Sequence, residues 1–338
     1  MRRLALLVGA GLALASAGPL SLSAQTPSPG PSPAAPSPSP SASPAVPRIF
    51  TFESAVDMVS LTAVVHDKAG QFIRGLGPKD IDVFEDGVRQ DVTYFREAND
   101  KTAEKIPLSV VLVLDASGSM RENMHFLQEA ALGFVYKLTD VDEALVVQFN
   151  ESIKGSADFT GDVDRLEQFV EALQAWGGTS LYDAIHYALG RIKDQPGRKA
   201  IIVFSDGADT TSSMKEQEVV DYARAVEATV YCVGIRGESG LMARSPRGFM
   251  RKIAQETGGS FFFPDRVGDL IKVFNGISDE LHNHYALAYS PARPPDGMWR
   301  DIEVRLKRKD AEIRVRKGYF AVKRRARPSP SPVPGGGS

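Results

Sequence analysis

The segment Val110–Met120, VVLVLDASGSM, decides how the rest of the chain is read. An unbroken apolar run, Val110 to Leu114, stops at Asp115, and small hydroxyl residues then stand two apart at Ser117 and Ser119. Such a run, bounded by turn residues, predicts a strand buried on both faces of a parallel sheet. Open α/β sheets place their sites at the C-terminal ends of these strands, so the segment also predicts a site beginning at Asp115.

Working outward, strand signals recur at 108–114, 144–149, 199–204, 229–235 and 260–263, with a weaker one at 152–158. Helical spacing falls between them. Met124, Leu127, Ala131, Phe134, Val135 and Leu138 repeat at helical intervals, as do Val267, Leu270, Ile271, Phe274, Ile277 and Leu281. Residues 107–284 are therefore expected to form an α/β domain: a doubly wound, mostly parallel sheet with helices on both faces.

On either side the pattern changes to short alternating segments. In 48–98, Val59, Leu61, Ala63 and Val65 fall on one strand face, and Asp86-Gly87 separates IDVF from VRQDVTYF as a hairpin turn. In 285–322, YALAYS, WRDIEVRLKR and AEIRVRKGYF read as three strands. Each piece is short for independent stability, so the two are expected to pack as one smaller all-β domain with the α/β domain inserted between them.

The ends have other roles. Arg2 and Arg3, an apolar stretch from Leu4 to Ala17 and small residues after it have the layout of a cleaved export signal, assigned to 1–24. Residues 25–47 are almost wholly Pro, Ser and Ala and read as an extended spacer; the basic and Pro/Gly-rich tail 323–338 is expected to be disordered. No transmembrane segment is expected in the mature chain, because the leading apolar stretch is short for a span.

The 338 residues are 43% hydrophobic and 24% charged, with a net charge of −2, which gives no basic field for general nucleic-acid binding. Cys232 is the sole cysteine, so an intramolecular disulfide and a cysteine metal cluster are both excluded. Its apolar setting reads as a buried small hydrophobe. The basic residues Arg305, Lys307, Arg308, Lys309, Arg314, Arg316, Lys317 and Lys323–Arg325 offer weak contact with an anionic surface, although the solvated face of a strand pair accounts for them more simply.

Three places in the α/β domain put oxygen donors at or beside strand ends: Asp115, Ser117 and Ser119 in DASGS, Thr179 in WGGTS, and Asp206 in VFSDG. Aspartates and hydroxyls without histidine or thiolate suit Mg²⁺, Mn²⁺ or Ca²⁺ rather than zinc or copper. Two carboxylates roughly cancel one divalent charge and leave positions to neutral hydroxyls, water and a carboxylate from another molecule. Asp183 and Asp209, nearby in sequence, read as a first-turn helix charge and a loop cap. His125 and His186 read as helix residues without a nucleophile motif, and His282 and His284 do not share a helical face.

This D-x-S-x-S pattern with a separated Thr and a separated Asp resembles the metal-ion-dependent adhesion site of von Willebrand factor type A domains, with every element present at Asp115, Ser117, Ser119, Thr179 and Asp206. The resemblance implies that the serines bind the ion directly, the threonine directly or through water, and the aspartates largely through water. It also implies one short antiparallel edge strand, for which 152–158 is the candidate, and a non-enzymatic, adhesion-type module that captures an Asp or Glu carboxylate of a protein ligand. The flanks resemble exported bacterial proteins of the acidobacterial VWFA-related group. Two other readings remain: a metal-free scaffold, and a Mg²⁺-dependent phosphohydrolase of the haloacid dehalogenase type. The second would use Asp115 as nucleophile, Thr179 as a phosphate contact and Asp206 on the metal, but it needs an acid where Ser117 stands.

Overall fold

Alternation in the first described segment produces strands with one buried face. In β1 (Val59–Asp67), Val59, Leu61, Ala63 and Val65 are buried, and β2 (Ile81–Glu85) and β3 (Val88–Gln90) follow as a hairpin. Its two turn residues, Asp86 and Gly87, both have positive φ, 47° and 78°, which matches the right-handed twist of the strands it joins. β4 (Val92–Glu97) closes this part. The computed structural model describes residues 58–98, 106–206, 209–235 and 244–322, excluding the side chains of 244–246, and all of these fall in one compact unit. The expected export signal, the spacer and the basic tail lie outside the described residues.

The unbroken apolar runs become the inner strands of a second structure. Its elements in order are β5 (Leu108–Asp115), α1 (Met124–Val135), β6 (Glu143–Phe149), β7 (Ile153–Gly155), α2 (Val163–Glu171), α3 (Leu181–Ile192), β8 (Arg198–Ser205), α4 (Glu216–Val226), β9 (Thr229–Gly234), α5 (Arg244–Thr257), β10 (Phe261–Phe262) and α6 (Leu270–His282). The sheet order is β10-β9-β8-β5-β6-β7, parallel throughout except for β7, which runs antiparallel at the edge beside β6. Every residue of β5 is buried. Val110, Leu112 and Leu114 face a core closed by α1, α2 and α6, while Val111 and Val113 face one closed by α3, α4 and α5. Each such side chain contributes about 1.5–3 kcal/mol by leaving water. Cys232 is buried on β9, where burial pushes its thiol well above the ordinary range.

After α6 come β11 (Tyr285–Tyr289), β12 (Trp299–Leu306), β13 (Ala311–Arg314) and β14 (Gly318–Phe320). The expected third strand, AEIRVRKGYF, is thus two strands in two sheets. One sheet has the order β13-β1-β11-β4 and the other β14-β12-β2-β3, and their inner faces share a core that includes Leu61, Val83, Leu287, Ile302 and Tyr319. The segment between these two strands is tightly packed at both ends. A Cβ on Gly258 would meet the backbone of Arg316 at 2.6 Å, and one on Gly318 would meet the Arg300 carbonyl oxygen at 2.3 Å, so the crossing segment is pressed against the α/β part before it joins β12.

Buried between these sheets is a charged group. Glu85 accepts from Arg300 Nη1 (3.0 Å), Tyr289 Oη (2.8 Å) and Tyr319 Oη (2.9 Å), and Glu85 and Arg300 are only 2% and 1% exposed. Ionic contacts also tie the strands to the α/β part: Arg316 pairs with Glu227 at 2.9 Å, Arg314 pairs with Glu280, and the Arg224 guanidinium lies 4.9 Å from the Trp299 ring centroid. Arg305, Lys307 and Arg308 pair with Glu303, Asp82 and Asp310, so these strand cations are largely matched by local carboxylates.

At the end of the sheet where β5 begins, His282 Nε2 lies 3.2 Å from Asp142 Oδ2, while Asp142 Oδ1 accepts from the Leu108 amide. The Asp142 hydrogen bond raises the His282 pKa against the opposing effect of burial. Burial alone would raise Asp142, but hydrogen bonds from His282 and Thr139 outweigh it and hold the carboxyl low. A raised histidine stabilises the fold below its unfolded value of 6.5 and loses that contribution as pH rises through the folded pKa; a lowered aspartate stabilises above 3.8 and loses it as pH falls through its folded pKa. The pair therefore supports the fold most between these limits. Urea midpoints measured across pH should decline from pH 6 to pH 8 in the parent and flatten in His282→Gln.

Candidate metal centre

The geometry starts from sheet topology. From β5 the chain moves to β6 on one side, and it later returns to β8 on the other, so the order reverses between β5 and β8 at their C-terminal ends. Such a switch point opens a crevice in α/β sheets. Leu114 is in register with Phe204, so Asp115 and Ser205, each one residue further, end side by side.

Asp115 is fully buried. Its Oδ1 accepts from the Ser117 amide (2.8 Å), an aspartate turn that bends the chain back on itself, and its Oδ2 accepts from Ser205 Oγ (2.5 Å). Ser117 Oγ lies 3.1 Å from Ser119 Oγ, and Ser119 Oγ donates to Asp206 Oδ1 at 2.7 Å. Ser117 and Asp206 are buried and Ser119 is exposed, so the cluster reaches the surface through Ser119. The Ser117 and Ser119 hydroxyls and the Asp206 carboxylate thus form one hydrogen-bonded run of oxygens, and the Ser117 amide joins Asp115 to it.

Thr179 comes in from the loop between α2 and α3. Gly118 N donates to the Gly177 carbonyl (3.0 Å) and Trp176 N to the Ala116 carbonyl (2.9 Å), which lays this loop along DASGS. A Cβ on Gly118 would stand 3.3 Å from the Gly177 oxygen, so the approach needs a small residue there. Thr179, 5% exposed, is held by its own backbone: its amide donates to Thr210 Oγ1 (2.9 Å) and its carbonyl accepts from the Thr210 and Thr211 amides.

Asp183 and Asp209 serve the scaffold. Asp209 Oδ1 accepts from the Tyr182 amide in the first turn of α3, and Asp183 accepts from the Ser213 and Met214 amides, so helix and loop cap each other. His186 packs its ring 4.8 Å from Tyr222, and His125 lies beside Phe126 on α1. Ser205 was not singled out from sequence. Its signal is its place immediately before Asp206 in a strand, but its bond to Asp115 depends on the β5–β8 register.

Charge completes the description. Burial pushes Asp115 up to about 6, with hydrogen bonds from Ser117 and Ser205 opposing and Asp206 adding to the rise; burial also raises Asp206. Asp206 Oδ2 is buried with no hydrogen-bond partner among the described residues. A buried, unpaired carboxylate oxygen is costly unless a donor or cation meets it. Among the described residues no group of three or more His, Cys, Asp or Glu side chains is arranged to hold a metal; here the carboxylates number two and hydroxyls surround them. The donor set fits a hard divalent cation.

The von Willebrand factor type A domain family model matches residues 109–275. This stretch of the chain is a von Willebrand factor type A domain. The chain is also similar to inter-alpha-trypsin inhibitor heavy chain H4 of Sus scrofa, 28% identical over 172 residues, which cover 46% of this chain and 18% of that protein. It therefore spans about a fifth of the length of that curated relative. Among solved structures it is similar to a von Willebrand factor type A protein from Catenulispora acidiphila (14% identity, 78% of this chain and 73% of that one, TM-score 0.48). A second is the von Willebrand domain of the type V pili tip protein Mfa5 from Porphyromonas gingivalis (16% identity, 53% and 96%, TM-score 0.44). The mixed sheet with helices on both faces and the antiparallel edge strand β7 are the architecture of this von Willebrand A domain. No helix among the described residues is long and apolar enough to cross a membrane.

Proposed function

We propose that Asp115, Ser117, Ser119, Thr179 and Asp206 hold a divalent cation, Mg²⁺ or else Mn²⁺ or Ca²⁺, as an intact metal-ion-dependent adhesion site. The observation that carries this reading is the buried Asp206 Oδ2, with no hydrogen-bond partner among the described residues, next to Ser119, through which the oxygen cluster reaches the surface. When bound, the cation would neutralise the two carboxylates and offer a position to an incoming anion. The chain's own residues do the rest: Ser205 and the Ser117 amide hold Asp115, Ser119 holds Asp206, and the WGGTS loop, which carries Thr179, lies along DASGS.

The chain then acts as a non-enzymatic, adhesion-type binding module, and its ligand is an Asp or Glu side chain on a protein partner. In this reading 1–24 is a cleaved export signal, 25–47 a spacer, and 48–98 together with 285–322 a β domain carrying the von Willebrand A domain at 107–284. The basic tail is 323–338. The product is periplasmic or secreted and belongs with the exported acidobacterial VWFA-related group. The flanking strands β1 and β11, hydrogen-bonded to each other across the inserted domain, support that layout.

Thermal unfolding with Mg²⁺ and with EDTA tests the site. An ion at a hundred times its dissociation constant should add about 2.7 kcal/mol to stability. Ser117→Ala removes a buried hydroxyl donor and should lose most of that gain, while hydrolysis of a generic phosphomonoester stays at background with or without the ion. Equal stability in Mg²⁺ and EDTA would refute the site, and ion-dependent turnover would refute the binding reading.

A further inference from the structure

We infer that the rim of this site selects a protein segment whose carboxylate is flanked by a bulky apolar side chain and by a basic one; the inference rests on the metal-dependent capture just proposed. Trp176, 47% exposed, stands in the loop that carries Thr179. Its amide donates to Ala116 and the next residue's carbonyl accepts from Gly118, so the backbone that carries this exposed indole is fixed beside the DASGS turn. Phe126, 38% exposed, lies in the first turns of α1. Gln128 Nε2 bonds the Val170 and Glu171 carbonyls at 3.1 Å each, tying α1 to the end of α2 that leads into Trp176. An exposed tryptophan on a braced loop contributes area without an ordering cost, which is the character of an interface hot spot.

Charge supplies the second requirement. Glu151, exposed in the β6–β7 turn, accepts from the Gly178 amide at 3.3 Å, and a Cβ on Gly177 would meet its carboxyl carbon at 3.0 Å. It makes no ion pair with any described residue. A partner's carboxylate arriving next to Glu151 meets a like charge, and a basic residue adjacent to that carboxylate converts the repulsion into a match.

An array of immobilised nonapeptides, each with a central Asp in a Gly/Ser background and varied neighbours, probed with the chain in Mg²⁺ and in EDTA, tests this. Mg²⁺-dependent retention should be about tenfold stronger with Phe or Leu and Lys or Arg beside the Asp than with Gly, Ser or Glu. Trp176→Ala should erase the apolar preference, and Glu151→Lys should turn the charge preference toward Glu. Both variants should keep the parent's thermal response to Mg²⁺. Mg²⁺-dependent retention indifferent to the neighbours, or preferences unchanged in both variants, overturns the inference and leaves metal-dependent capture standing. Retention of no peptide in Mg²⁺ overturns both.

Discussion

Asp206→Asn should abolish the thermal response to Mg²⁺ while leaving the ion-free protein as stable as the parent, or more stable by about 1 kcal/mol. The expectation follows from what Asp206 does without a cation. Its Oδ1 receives one hydrogen bond from Ser119, its Oδ2 is buried with none among the described residues, and burial raises its pKa, so its charged form is poorly compensated in the folded state. Asparagine keeps an oxygen for Ser119 and removes that charge. A residue kept for packing behaves in the opposite way, because its replacement lowers stability with and without the ion. Isothermal titration with Mg²⁺, beside urea unfolding in EDTA, separates the two; loss of ion-free stability together with retained Mg²⁺ heat would remove Asp206 from the site.

The largest loss of stability is expected far from that cluster. Glu85→Ala should cost about 3 kcal/mol, because it leaves the buried Arg300 guanidinium with two backbone carbonyls and only the exposed Asp296 carboxylate, 3.6 Å away, in place of the buried one. Tyr289→Phe removes only one hydroxyl from the same carboxylate and should cost about 1 kcal/mol. Converting Glu85 and Arg300 together to apolar residues recovers less than the loss from Glu85 alone, since the Tyr289 and Tyr319 hydroxyls would still lack the oxygen they share. Urea unfolding of the three variants orders these costs. A Glu85→Ala midpoint level with Tyr289→Phe would mean that the pair contributes little.

How much of this was legible depended on whether the cause was local. The β5 strand and its end at Asp115 could be read directly, because five apolar residues in succession leave no solvent face and the aspartate bends the chain through its own backbone. The Asp86-Gly87 hairpin was legible for the same reason: its positive φ values belong to the residues themselves. The break in AEIRVRKGYF was not, since Val315 to Lys317 resemble their strand neighbours and the close packing of this segment against Gly258 and Arg300 belongs to the tertiary structure. In the site, the spacing of Asp115, Ser117 and Ser119 was visible, whereas the bond from Ser205 and the position of Glu151 against Gly177 and Gly178 require strand register and loop packing. The seam contacts of Arg314 and Arg316 were hidden likewise, because a basic residue in or just after a strand does not announce which distant carboxylate it meets.

Strand β4 runs toward the von Willebrand A domain and β11 runs away from it, and the two meet at that junction with Glu97 opposite Tyr285. In the proposed adhesion role, a pull on a captured partner would enter the β sheets through these two adjacent covalent tethers, drawn in the same direction, with the Arg314–Glu280 and Arg316–Glu227 pairs beside them. Because β11 also lies along β1 from Tyr285 to Tyr289, the force acts lengthwise along their ladder and strains its rungs together, not one after another from an end. Under that role, the junction would be loaded in shear and not peeled from one end.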